Sequence, residues 1–528
     1  MELCCQRMAD VDSALTGDGR PTIAVPPPPA PLTYGRCLGI LLLVVLFTRG
    51  GEFNNPLTHV DDQFYLFTGQ AMLHGALPYV DVWDRKPIGL FLIYEAIAAL
   101  GGDSVIVYHL VAAASVLATA LVIVRLGERI ADRTGGLRAG IAYIALLPTM
   151  GGGGGQSPIF YNLLIALAAL LTFDATTPAA PRRWPRALAA MALCGLAIQI
   201  KPTTLFEGAF FGLLFLFSEW RETRRAGPVA ALAAAMAAIA LAPTLAAFTV
   251  YAALGHAGDM WFATVVSIFN RTPLALNERF GDVPQMLLFL TVPLLVTLSA
   301  LAVQWRAAGR DRVTVFLAGW LAAAIVGFLA VPNFFNHYTL PLMLPMSVIM
   351  ARLFADRRDG LLFALMVVAV PIMIEAPTPK HIFHRRDGFD RTAQIIQREL
   401  HGGCLYIYYG PTALYNAANA CHLSPYVFPD HLETEVEGSA LPVSPEVEVE
   451  RIFAQRPTVV LTGRRKFLAR NNRTAAIVER HLWCDYRLAQ RVKASSKRTL
   501  DMWTLRPDPL RPCPANHPPL GIVQRTSS

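Results

Sequence analysis

Apolar residues in this chain fall in blocks rather than at alternating or one-faced spacing. GILLLVVLF, FFGLLFLF and AALAAAMAAIALAPTLAAF are apolar all round, as helices surrounded by lipid are. Allowing a few residues of blur at each edge, the pattern predicts spans at 35–48, 104–126, 139–150, 159–173, 187–200, 203–217, 229–254, 284–303, 313–331, 338–353 and 361–374. After residue 375 the pattern changes. GCLYIYYG and PTVVLTG read as buried strands, and RTAQIIQREL and EVERIFAQ as amphipathic helices. A small soluble α/β layer is expected there.

Composition agrees with the pattern. Of 528 residues, 54% are hydrophobic and only 16% charged, against about a quarter charged in soluble domains. The net charge of +8 is carried by short arginine-rich connectors, and no basic stripe interleaves with aromatics, so nucleic acid is not an expected partner. Those connectors are 125–138, 182–186, 221–225, 306–312 and 352–358, and alternation through the spans puts all of them on one side, the cytoplasm. Segment 87–100 is apolar but short and carries Glu95; if it crossed, every connector would invert, so it is expected to lie at the interface. The domains follow: a disordered cytoplasmic tail at 1–34, a transmembrane domain at 35–375 with its external loop 50–86, and a periplasmic domain at 376–528. Cys4 and Cys5 sit in no lipidation motif. Cys404, Cys421, Cys484 and Cys513 fall in the last domain, where disulfides persist; the expected pairs are Cys404–Cys421 and Cys484–Cys513, with free buried thiols the alternative.

The external loop EFNNPLTHVDDQFYLFTGQAMLHGALPYVDVWDRK concentrates the candidate chemistry. From Asp62 to Leu73 it predicts a helix at the membrane interface, with Phe64, Phe67 and Met72 on one side and Asp61 at its N-terminus. Asp61 there is either a helix cap or a base. Asp61 and Asp62 beside Arg85 and Lys86 suit transfer from a phosphate-linked donor: a carboxylate takes a proton from an attacking hydroxyl while the cations offset charge on a departing phosphate. Snorkelling at the bilayer edge explains Arg85, Lys86 and Lys201 equally well. Asp84, Gln156 after five glycines, and His337-Tyr338 complete the external candidates. No Walker loop, HExxH, CxxC or GxSxG is present. Within the spans, only Glu207 and His109 stand out as ionisable groups.

HVDDQFYLFTGQAMLHGALPYVDVWDRKPIGLFLIY, GLAIQIKPTTL and FFNHYTLPLMLP together resemble the bacterial membrane glycosyltransferases of the GT-C fold, the ArnT-like, protein-mannosyltransferase-like and Rgt-type families. The resemblance implies a mainly α polytopic GT-C protein of about 11 transmembrane helices with a C-terminal soluble α/β domain. It implies a polyprenyl-phosphate-linked sugar donor, a lipid, glycan or protein acceptor such as lipopolysaccharide, and an inner-membrane location facing the periplasm. It assigns Asp61 as catalytic base, with Asp62 beside it, and Lys86, supported by Arg85 and His337, to the donor phosphate. Asp84, Lys201, Tyr338 and Gln156 are expected to touch substrate. Lys-Pro-Ile stands for Lys-Pro-Pro, Asp62 for a common Glu, and Gln156 for an acidic residue. That last change speaks against a hard cation, which prefers carboxylates; no metal ligand or cofactor is expected, and a divalent cation is the one ligand left open. The competing expectation is a lipid-linked-sugar flippase or transporter, disfavoured by the near absence of charge inside the spans.

Overall fold

A computed structural model describes residues 32–177, 182–331, 333–356, 359–375, 379–463, 468–495, 498–508 and 520. The N-terminal stretch with Cys4 and Cys5 lies outside them, as does Cys513 and with it the expected Cys484–Cys513 pair.

Each expected span coincides with a helix. Among the described residues, six helices are long and apolar enough to cross a membrane: Tyr34–Glu52, Ser104–Ile130, Ser157–Ala175, Ala226–Ala253, Leu276–Ala308 and Arg312–Leu329. The helices Arg133–Leu146, Arg183–Ile198, Leu205–Thr223, Met343–Phe354 and Asp359–Glu375 occupy the remaining expected positions but are shorter or more polar. Outward leucines such as Leu43, Leu213 and Leu287 are exposed, as lipid-facing side chains are. Helix starts are fixed locally. Asp103 accepts the N–H groups of Val105 and Ile106, and Asp132 accepts that of Gly135. Gly127 and Gly136 let the following pair of helices touch backbone to backbone, since a Cβ on Gly127 would lie 2.4 Å from Gly136 Cα.

The two ionisable groups inside the spans are satisfied. Glu207 accepts the Trp320 indole N–H at 2.7 Å. His109 contacts the Val105 carbonyl at 2.8 Å and the Thr58 hydroxyl at 3.1 Å. Segment 87–100 forms the helix Ile88–Ala99 of 12 residues, about 18 Å long and too short for a hydrocarbon core of about 30 Å.

Among the described residues the last domain holds a four-stranded sheet in the order β1-β2-β4-β3, with β1 Leu405–Ile407, β2 Val459–Gly463, β3 Tyr486–Ser495 and β4 Arg498–Leu505. β1 pairs parallel with β2 (Tyr406 opposite Val460), and β4 runs antiparallel between β2 and β3 (Val460 opposite Trp503). Leu405, Val460, Leu482, Leu500 and Met502 are fully buried in its core. Cys404 and Cys421 form the expected disulfide.

The β1–β2 crossover packs against the membrane domain. Phe64 packs on Phe428 with centroids 5.3 Å apart, Phe67 on Tyr415 at 5.8 Å, and Trp83 edge-on to His431 at 4.9 Å. The Trp83 N–H also donates to the Pro425 carbonyl at 3.0 Å. This corrects the expectation of an interfacial helix. The helix Val60–Met72 buries Phe64 and Phe67 against the soluble domain, because that domain supplies an aromatic face where lipid was expected.

Candidate active site

The first external loop, the turn before Ser157, the Lys201-Pro202 junction and the Asn336–Thr339 turn meet under the soluble domain. Together they line a cavity of about 1430 Å³, larger than the usual small-ligand site. Of the nine predicted site residues, Asp61, Asp84, Arg85, Lys86, Gln156, Lys201, His337 and Tyr338 line it; Asp62 does not.

Asp61 stands in the first turn of Val60–Met72 without being its cap. His59 is the cap, its Nδ1 accepting the Asp61 backbone N–H at 3.2 Å. The Asp61 carboxylate is thereby free of capping duty. Its Oδ2 accepts the Gln156 amide at 3.1 Å and lies 3.8 Å from His59 Nδ1. Burial pushes its carboxyl up, but Lys86, then His59, and the Gln156 hydrogen bond outweigh burial and hold it well below the ordinary carboxylate range.

Lys86 is built in by its own loop. Asp84, almost fully buried, accepts the Lys86 backbone N–H at 2.9 Å and stands 3.3 Å from Nζ, which lies 5.0 Å from the Tyr65 ring centroid. Tyr79 donates its hydroxyl to the Lys86 carbonyl. Burial alone would lower the Lys86 pKa, yet Asp84 and Asp61 raise it, so it keeps its proton. Asp84 thus lines the cavity with its carboxylate paired to Lys86.

Lys201 holds Nζ 4.3 Å from the Tyr338 ring centroid. Burial and then neighbouring Lys86 lower its pKa to about 8, against the pull of Asp61. His337 lies 5.3 Å from His59, ring to ring. Burial, followed by His59 and then the two lysines, keeps it neutral against the pull of Asp61, so its ring offers one N–H donor and no positive charge.

Two predicted residues have other duties. Arg85 is held 2.5 Å from Glu437 of the soluble domain, and Arg271 pairs with the same carboxylate. Asp62 faces away from the cavity, its Oδ2 accepting the Gly155 N–H at 2.8 Å. The sequence reading missed Arg271, Glu437 and His431, all of which line the cavity. Arg271 carried a signal, as an arginine on the external side against the charge sorting; Glu437 carried none. Among the described residues no cluster of three His, Cys, Asp or Glu side chains could hold a metal ion.

This arrangement of helices, capped by a soluble domain over an external acidic loop, is the GT-C fold of membrane glycosyltransferases. Residues 85–246 match the family model described as dolichyl-phosphate-mannose-protein mannosyltransferase. The structure is similar to that of ArnT from Cupriavidus metallidurans bound to undecaprenyl phosphate, with a TM-score of 0.61 and 13% identity over 88% of this chain and 97% of that one. The apo state of the same protein matches with a TM-score of 0.61, 13% identity and the same coverage of 88% and 97%. At that identity the likeness establishes the fold alone. No curated protein matches the sequence.

Proposed function

We propose that the protein is a glycosyltransferase that moves a sugar from a polyprenyl-phosphate-linked donor to a hydroxyl of a lipid, glycan or protein acceptor at the periplasmic face of the inner membrane. One observation carries the reading: an ionised carboxylate, Asp61, and two cations, Lys86 and Lys201, reach a single cavity from two external segments. The undecaprenyl phosphate bound to the similar ArnT supports a lipid-phosphate donor.

The acceptor oxygen attacks C1 of the sugar and its proton passes to Asp61 Oδ1 or Oδ2. The C1–O bond to the phosphate breaks, and its electron pair leaves with the polyprenyl phosphate. Lys86 and Lys201 offset the charge that grows there, and His337 donates a hydrogen bond. A single displacement inverts C1. The proton on Asp61 then returns to water. Tyr338 holds Lys201 in place, and Gln156 orients Asp61.

Purified protein in detergent, given undecaprenyl-phosphate-linked sugars and a membrane glycolipid extract, is expected to yield glycosylated product by mass spectrometry without any gradient. Failure to transfer, together with translocation of the lipid-linked sugar across vesicles, would establish the flippase reading instead.

A further inference from the structure

Asp62 and Arg49 are both buried, and both lie outside the cavity. Each nevertheless grips the same five-glycine turn. Arg49 donates from Nη1 to the Gly152 carbonyl and from Nη2 to the Gly154 carbonyl, each at 2.6 Å. Asp62 Oδ2 accepts the Gly155 N–H from the other side. A Cβ on Gly154 would stand 2.0 Å from Asp62 Oδ2, and one on Gly155 2.2 Å from the Tyr94 hydroxyl, so the turn is packed flush against both. The next residue is Gln156, whose amide reaches Asp61.

We propose that Asp62 is a positioning residue: with Arg49 it fixes the glycine turn so that Gln156 holds the Asp61 carboxylate toward the acceptor. The proposal rests on the reading of Asp61 as the base. It separates two adjacent acids by role, one facing the chemistry and one facing the backbone that aligns it. Burial, reinforced by Asp61 and opposed by the Gly155 N–H and Arg49, drives the Asp62 carboxyl up to about 8. Near neutral pH it is mostly uncharged, so asparagine mimics it closely.

The test is transfer from undecaprenyl-phosphate-linked sugar to a membrane glycolipid extract, with full-length protein. Asp62→Asn, which keeps an oxygen for the Gly155 N–H, is expected to retain kcat within about threefold, and Asp62→Ala to lose about tenfold or more with donor KM unchanged. Gln156→Ala is expected to lose as much as Asp62→Ala, and the double variant no more than either alone, because both act through one contact. Additive losses, full activity in Asp62→Ala, or an Asp62→Asn as inactive as Asp61→Asn would each overturn the proposal. Should Asp62→Ala not fold, Arg49→Lys in the same cycle with Gln156→Ala tests the turn from its other side, with the same two outcomes. Full activity in Asp61→Asn would remove the base reading, a result distinct from all of these.

Discussion

Glu437 of the soluble domain stands 2.5 Å from Arg85 of the first external loop, and its carboxylate also pairs with Arg271 from a third segment. One buried acid thus ties three stretches of chain together over the cavity. Replacing it with alanine leaves two arginines facing each other and is expected to cost roughly 3–5 kcal/mol. The loss should appear as a lower unfolding midpoint and faster proteolysis of the soluble domain.

The same contact resists acid. Burial raises the Glu437 pKa, but Arg85 and Arg271 outweigh it and hold it at about 2. A depressed folded value means that its stabilisation is complete above the unfolded range, near ~4.3, and is lost progressively as pH falls from there through about 2. Wild-type proteolysis rates should therefore not change between neutral pH and mild acid; a rise on mild acidification would contradict this.

Lys201 behaves differently. With its pKa lowered to about 8, its charge drains away as pH rises through that value, and donor binding should weaken in step. Lys201→Arg, whose guanidinium stays charged, should flatten that limb in a titration with undecaprenyl-phosphate-linked sugar. Lys86 keeps its proton throughout, so Lys86→Gln should weaken binding at every pH, by about tenfold or more.

Gln156 offers Asp61 a hydrogen bond where a cation would need an oxygen ligand. Activity is therefore expected to survive chelation by EDTA. Gln156→Glu puts a second negative charge beside Asp61, raises the Asp61 pKa and should move the acid limb of kcat upward. An EDTA-inactivated wild type restored by a divalent cation would refute the chelation prediction.

Cys404 and Cys421 close a loop of sequence separation 17, a constraint worth about 3 kcal/mol. The double serine variant should unfold at a lower temperature than wild type under oxidising conditions and match it in reductant.

Much of this was legible in the chain. Blocks such as GILLLVVLF locate helices because a lipid environment demands long apolar runs, and arginine placement sorts their ends. The β3–β4 hairpin was not foreseen: Arg487, Arg491, Lys493 and Arg498 hide its alternation under charge. Asp61 was read as a possible cap because acids commonly fill that position; His59 takes the duty instead through its ring nitrogen. Phe64 and Phe67 looked lipid-facing because nothing in their own segment reveals the aromatic crossover that covers them. Arg271 and Glu437 are 166 residues apart, and only the tertiary fold brings them together.

The five glycines look like sequence of low information, a run that could be shortened or varied at little cost. The close approach of Asp62 and Tyr94 reverses that impression at Gly154 and Gly155, while a Cβ on Gly153 would meet nothing nearer than 3.8 Å. A saturation scan should therefore find Gly153 permissive, Gly151 limited by its φ of 75° rather than by space, and Gly152, Gly154 and Gly155 intolerant. At three of the five letters the monotony records a fit so tight that only hydrogen can occupy the space.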